Sequence, residues 1–194
     1  MIISFVAEPW WVNLAVLIPV GAYLSWRRHP TGITARLLIV VCVFSIAFGF
    51  LEATVVVYLR AASGLLPGYP GLLSDVASSA PQSQLLREVP SSLLSFEVLR
   101  EAATILMLIS IALLAPGKAK SRLAAFLWAF AIWDIIYYVS LWALIRWPQS
   151  STDRDVLFLI PEPWFAPVWF PVLVSLLTAL AVLLTRARSE SKSD

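Results

Sequence analysis

The sequence predicts an all-α integral membrane protein, a compact bundle of five transmembrane helices in a single domain that spans residues 1–194. Two observations support this fold class. Hydrophobic residues make up 60% of the chain and charged residues only 13%, with a mean hydropathy of +0.84, which leaves too little polar surface to cover a fold in water. The apolar residues also form five segments suited to crossing about 30 Å of hydrocarbon, which takes roughly 20 helical residues.

The predicted spans are residues 10–26, 37–59, 92–115, 123–145 and 164–185. The first span is the weakest, since Pro19 interrupts it, although tryptophans at both ends suit the membrane interface. The second span carries Ser45, Gly49 and Glu52 at spacings of four and three residues. This spacing puts small and polar groups on one narrow face, which favours close packing against another helix.

Two longer loops, residues 61–91 and 146–163, join the spans on the predicted outer side. The first contains too many prolines and serines to form a span. The apolar run 156–160 in the second is too short to cross, so we expect it to dip into the interface or to cap the bundle. After this loop, Pro167 and Pro171 predict a bent start to the fifth span, because proline inside a helix removes a backbone hydrogen bond.

Basic residues in the loops predict that the N-terminus lies outside and the C-terminus in the cytoplasm, in a multi-pass protein of the plasma membrane. The inner side carries nine of them: Arg27, Arg28, Arg36, Lys118, Lys120, Arg122, Arg186, Arg188 and Lys192. The outer side carries four: Arg60, Arg87, Arg146 and Arg154. The N-terminus lacks the features of a removable signal peptide and is expected to belong to the mature protein. The lipid bilayer is the first expected partner, and a net charge of +2 indicates no nucleic-acid partner.

The supply of metal ligands is small. Cys42 is the single cysteine and lies in an apolar segment, and His29 is the single histidine and lies in a basic loop. These counts exclude a haem held by two histidines, a cysteine-held iron–sulfur cluster and a typical zinc site within this chain alone. The cofactor, if the protein uses one, is unknown from the sequence.

The third predicted span carries charged residues inside the membrane, where they are expensive and tend to be functional. Glu97, Arg100, Glu101 and Thr104 occupy positions i, i+3, i+4 and i+7, so they lie on one side of that helix. Neighbouring helices can cover this stripe.

Acids on two further helices are predicted to reach a similar depth. From the rise of an α-helix, Glu52 lies about 12 Å below the outer end of its span, Glu101 about 14 Å and Asp134 about 17 Å. Tyr138 shares a face with Asp134. If these faces turn inward, the side chains converge in the outer half of the bilayer. The predicted residues for binding a ligand or protons are therefore Glu52, Glu97, Arg100, Glu101, Asp134 and Tyr138.

This predicted site holds four carboxylates and a single base, Arg100. An unpaired charge costs about 2.5 to 3.5 kcal/mol at the membrane centre, so the excess must be neutralised. The acids can be protonated, or bind a cation with Glu52, Glu101 and Asp134 as candidate metal ligands, or pair with arginines from the outer loops. The candidate arginines are Arg60, Arg146 and Arg154.

Four interpretations follow. Arg100 can be a purely structural ion-pair partner that joins helices. The cluster can be an acidic intramembrane site in the outer half of the bilayer for protons, a cation or a small solute, which is the interpretation we favour. It can be the acid/base site of a membrane-embedded enzyme that acts on a lipid or isoprenoid, with catalytic residues unknown. Finally, the chain can be an accessory subunit that pairs its acids with a partner, in a homo-oligomer or a larger membrane complex.

Overall fold

Helices form most of the computed structural model, which describes residues 6–28, 31–62 and 91–190. A 3-10 helix, Trp10–Val16, runs directly into α1, Leu17–Trp26. The longer helices are α2 (Ala35–Ala62), α3 (Ser91–Leu113), α4 (Ala119–Ile145) and α5 (Trp169–Glu190). Two strands, β1 (Arg154–Phe158) and β2 (Trp164–Pro167), pair antiparallel between α4 and α5.

Three helices in the described residues are long and apolar enough to cross a membrane. Their qualifying segments are Ala35–Leu59 in α2, Ala119–Ile145 in α4 and Trp169–Arg186 in α5. Trp10–Trp26 forms a shorter apolar helix, and α3 carries the charged stripe. The prediction of a mostly helical protein suited to the membrane is confirmed at this level.

The apolar surface of the bundle faces outward on every helix. Large side chains are exposed on each of them, for example Leu17 on α1, Ile39 on α2, Leu106 on α3, Val139 on α4 and Leu180 on α5. Exposed apolar surface on this scale is typical of a face that contacts lipid or another protein.

The narrow face predicted on α2 forms the contact with α4. A Cβ atom added to Gly49 would lie 2.7 Å from the backbone oxygen of Trp133 and 3.1 Å from the Cβ of Ile136. Ser45 is fully buried on the same face, and its hydroxyl donates to the Val41 carbonyl at 2.8 Å. The small residue thus allows the two helix backbones to approach closely.

The other helices assemble around α4 and α5. Helix α4 packs against α2, α3 and α5, and α5 also packs against α1. Where α2 begins, the indole N–H of Trp128 on α4 donates to the Leu38 carbonyl at 3.0 Å. Near the same end, the Ser121 hydroxyl donates to the Thr31 carbonyl. These bonds fix the loop before α2 and its first turn against α4.

The strands correct the prediction that the chain is all-α and that a helix starts at residue 164. Residues 164–167 form β2, and α5 starts at Trp169. Ala166 precedes Pro167, and a residue before proline favours the extended conformation. Pro171 falls in the first turn of α5, where a missing N–H is tolerated. The expected bend in the fifth helix is therefore a junction between a strand and a helix.

The hairpin formed by β1 and β2 lies at the end of the bundle where α2 ends and α3 begins, beside the N-terminal segment. Glu8 and Phe165 exchange two backbone hydrogen bonds, at 2.8 and 2.7 Å. The ring of Phe158 stacks on Phe130 of α4, with centroids 6.0 Å apart. The apolar run 156–160 therefore packs onto the bundle. The long loop predicted at residues 61–91 lies almost wholly outside the described residues.

Candidate functional site

A cavity of about 240 Å³ lies between the hairpin and the helices. Its walls include side chains from the 3-10 helix, from all five helices and from both strands. The six residues that the sequence predicted as a binding site all line this cavity: Glu52, Glu97, Arg100, Glu101, Asp134 and Tyr138. The inward packing that the sequence predicted for these side chains is thus present.

Arg100 joins α3 to α2. Its Nη1 forms an ion pair with Glu52 Oε2, and its Nε donates to Glu97 Oε2 at 2.8 Å. The hydroxyl of Thr104 donates to the other oxygen of Glu52. The Glu52 carboxylate, which is 5% exposed, therefore has a positive partner and a hydrogen-bond donor. This part of the site matches the structural interpretation of Arg100.

Glu101 joins α3 to the hairpin. Its carboxylate accepts the backbone N–H of Leu159 at 2.7 Å and that of Ile160 at 3.1 Å, one on each oxygen. These two residues follow Phe158, the last paired residue of β1, so the β1–β2 pairing does not use their N–H groups. Hydrogen bonds to an ionised acceptor are about twice as strong as neutral ones. Glu101 thereby holds the hairpin against the bundle.

Asp134 joins α4 to α5. It is 8% exposed, and its Oδ2 accepts the hydroxyl of Ser175 at 2.8 Å. Ser175 was not predicted as part of the site, because a serine in an apolar helix is more often bonded to its own backbone. Its hydroxyl stabilises the carboxyl group and supplies no positive charge.

Tyr138 joins α4 to β1. Its hydroxyl donates to Asp155 Oδ2 at 2.8 Å, and the other oxygen of Asp155 accepts the N–H of Val156 at 2.8 Å. Asp155 falls in the loop 146–163, which was predicted to lie outside the membrane-spanning segments, but it is 1% exposed and lines the cavity. The sequence contains one indication of this burial, because Asp155 directly precedes the apolar run 156–160.

The outer-loop arginines do not neutralise these acids in the part of the chain that is described. Arg154 pairs with the exposed Glu8 at 3.4 Å, and the guanidinium of Arg146 lies 4.6 Å from the ring centre of Trp142. Those two candidates for inward pairing were wrong. The side chain of Arg60 lies outside the described residues.

The predicted metal site at Glu52, Glu101 and Asp134 is not formed. Within residues 6–28, 31–62 and 91–190, no three or more histidine, cysteine, aspartate or glutamate side chains group closely enough to hold a metal ion. The reason is that the three carboxylates have separate partners: a guanidinium and a hydroxyl for Glu52, backbone N–H groups for Glu101, and Ser175 for Asp134. His29 lies outside the described residues, and Cys42 is half-buried on α2.

Aromatic rings form much of the remaining wall. Phe130 lies 5.4 Å from Trp133, and Phe158 lies 5.1 Å from Trp164, measured between ring centroids. The indole N–H groups of Trp133 and Trp164 are buried, and neither has a hydrogen-bond acceptor among the described residues. The cavity wall therefore combines acidic groups with aromatic faces.

The charges that line the cavity do not balance. Five of the lining residues are acidic and one, Arg100, is basic, so the wall carries an excess of four negative charges if every group is ionised. Hydroxyl and N–H donors reduce the energy of a buried carboxylate and leave its charge in place. Occupation by a proton or by a positively charged group would lower that excess.

The chain matches no protein-family model, no curated protein and no solved structure. The arguments about its function therefore rest on the chemistry of the cavity.

Proposed function

We propose that this chain is a five-span protein of the plasma membrane whose acidic cavity, in the outer half of the bilayer, binds protons, a cation or a small solute. The observation that carries the proposal is the cavity itself, in which five carboxylates and one guanidinium surround an open volume of about 240 Å³. Among the three classes of ligand, this volume favours a small solute, because one water molecule takes only about 30 Å³ of liquid.

The open volume also distinguishes a binding site from a purely structural network. Ion pairs that only join helices are normally packed closely, because unfilled space in a core loses dispersion contacts and is destabilising. Here the pairs of Arg100 and Glu101 lie in the cavity wall. They join the surrounding elements and leave an open volume between them, as a preformed ligand site does.

Two further helical segments, in addition to the three long candidate spans, have apolar surfaces that support the proposal of five spans. Trp10–Trp26 is an apolar helical segment of 17 residues that exposes Leu14 and Leu17. Helix α3 exposes Phe96, Leu99 and Leu106 on the side away from its charged stripe. The basic loops favour an outer N-terminus and a cytoplasmic C-terminus.

Cysteine labelling tests the orientation. In a Cys42→Ala background, Ser151→Cys lies on the hairpin side and Lys118→Cys on the opposite side, and both positions are exposed. A maleimide reagent that cannot cross membranes should label Ser151→Cys in intact cells, and Lys118→Cys only after permeabilisation. The reverse pattern would contradict an outer N-terminus and an outer cavity.

The accessory-subunit hypothesis loses support, because the five acids line the protein's own cavity. A membrane-embedded enzyme for a lipid or isoprenoid remains the second candidate, favoured by the aromatic rings of Phe130 and Trp133 that line the cavity together with Asp134. Aromatic faces stabilise a developing cation, and a carboxyl group can supply a proton. Incubation with isoprenoid lipids, followed by mass spectrometry, should then give a product that Asp134→Asn does not form.

Thermal unfolding of the purified full chain in detergent tests the binding proposal. Na⁺, Ca²⁺, protons (by varying the pH from 5 to 8) and a set of small amines, alcohols and carboxylates are the ligands to compare. A ligand that binds the native state at 100 times its Kd adds about 2.7 kcal/mol of stability. For a protein of this size that raises the midpoint by roughly 5 to 11 °C.

Asp134→Asn removes one buried charge from the cavity, and Glu8→Gln is the matched control, because the Glu8 side chain lies outside the cavity wall and forms an exposed ion pair with Arg154. The control should keep the response of the wild type, and Asp134→Asn should lose it. If no ligand and no pH change distinguishes Asp134→Asn from the wild type, the proposed site is wrong.

A further inference from the structure

The region around Asp134 is acidic and has no basic side chain bonded to it among the described residues. Its carboxylate accepts a hydrogen bond from the neutral hydroxyl of Ser175. Asp155 is close enough to interact with it electrostatically and adds negative charge. Arg100, the basic residue of the described cavity wall, is bonded to Glu52 and Glu97. A positively charged ligand group would therefore be attracted to the Asp134 side of the cavity.

The aromatic rings favour an organic cation over an inorganic one. Phe130, Trp133 and Tyr137 line the cavity, as do Phe158 and Trp164 on the hairpin. Ammonium groups are attracted to aromatic faces within about 6 Å. An inorganic divalent ion instead needs several oxygen ligands together, and no such group of acidic side chains is present among the described residues.

Building on the proposed solute site, we propose that its ligand is a small organic ammonium ion with a compact apolar body. The ammonium group would bind the Asp134 carboxylate, and the apolar body would pack on the rings. A free amine and the ethanolamine headgroup of a phospholipid share this chemistry.

Tyramine and its neutral analogue 2-(4-hydroxyphenyl)ethanol test the inference directly, since the analogue has a hydroxyl in place of the ammonium group. Calorimetry with the wild-type full chain in detergent should show tyramine binding about 10- to 100-fold more tightly, the effect of a charge-assisted hydrogen bond. This ratio is measured on the unmodified protein, so it does not depend on the folding of any variant. Asp134→Asn should reduce the ratio to about one.

Trp133→Leu removes an aromatic face from the cavity wall, and Trp142→Leu, at an exposed position of the same helix, is its control. Trp133→Leu should weaken both probes several-fold, and Trp142→Leu should weaken neither. Native mass spectrometry distinguishes a free amine from a lipid headgroup as the natural ligand. If phosphatidylethanolamine stays bound to the wild type and tyramine releases it, the ligand is the headgroup. Tyramine binding without retained phosphatidylethanolamine indicates a free amine.

Equal affinity for the two probes would overturn the ammonium inference and leave the solute site intact. Binding of only Na⁺, Ca²⁺ or protons, dependent on Asp134, would overturn the inference and support the broader proposal. If no ligand of any class binds, both proposals are wrong.

Discussion

Replacement of Glu101 by glutamine should release the hairpin from α3. The native carboxylate accepts one backbone N–H on each oxygen, from Leu159 at 2.7 Å and Ile160 at 3.1 Å, and it is 7% exposed. Glutamine has one oxygen and one NH₂ group, so one of the two N–H donors would face another donor. The loss of a hydrogen bond to a charged acceptor costs about 1.5 to 3 kcal/mol, and a buried donor without an acceptor costs about 1 to 3 kcal/mol more.

Together these two costs should lower the local stability by about 3 kcal/mol, which is less than their largest possible sum because the hairpin would relax and recover part of it. This corresponds to amide exchange on the order of 100-fold faster at Leu159 and Ile160, since 1.4 kcal/mol is a factor of ten. Hydrogen exchange of the full chain in nanodiscs, followed by mass spectrometry, measures it. Glu162→Gln, an exposed change in the same hairpin, is the control and should leave these amides unchanged. Unaltered exchange at both amides in Glu101→Gln would refute the role given to Glu101.

Three further changes test other contacts. Gly49→Ala should destabilise the bundle by about 1 to 3 kcal/mol, because its Cβ would lie 2.7 Å from an α4 backbone oxygen. Gly21→Ala, which meets nothing within 4 Å, should not lower the thermal midpoint. Arg100→Gln should cost about 3 kcal/mol, because it leaves the buried Glu52 carboxylate without its positive partner, and a double variant that also carries Glu52→Gln should recover part of this loss. Tyr138→Phe should cost about 1 to 3 kcal/mol in chemical unfolding, because a fully buried carboxylate on β1 loses a donor. A result below 0.5 kcal/mol in any of the three would contradict the contact assigned to it.

The helices and the faces they turn inward could be predicted from the sequence, because both depend on local periodicity. Hydrophobic runs mark the helices, and a spacing of three or four residues places Glu97, Arg100 and Glu101 on one side of α3. The same rule predicted that Gly49 would allow a close contact. The rise of an α-helix then indicated that the acids on α2, α3 and α4 would reach a similar depth, and the cavity wall contains all of them.

The hairpin and its contribution to the site could not be predicted in the same way. The groups that bind Glu101 are backbone N–H donors of Leu159 and Ile160, and a backbone donor has no signature in the sequence. The β1–β2 pairing depends on contacts between segments separated by a turn, which a helical periodicity does not detect. The burial of Asp155, in the predicted outer loop 146–163, depends on that pairing and on the hydroxyl of Tyr138. Long-range contacts of this kind decide where a polar loop residue ends up.

The polar contacts around the cavity join one element to the next. Ligand binding in the cavity is therefore linked to the position of the hairpin. Arg100 connects α3 to α2, Glu101 connects α3 to the hairpin, and Tyr138 connects the hairpin to α4. Asp134 then connects α4 to α5 through Ser175. A cation that binds near Asp134 and Asp155 would compete with or reinforce the bond between Tyr138 and the hairpin, because both involve the Asp155 carboxylate. Ligand binding at this site should therefore alter the exchange of the hairpin amides, whereas a ligand confined to the exposed surface of the helices would not.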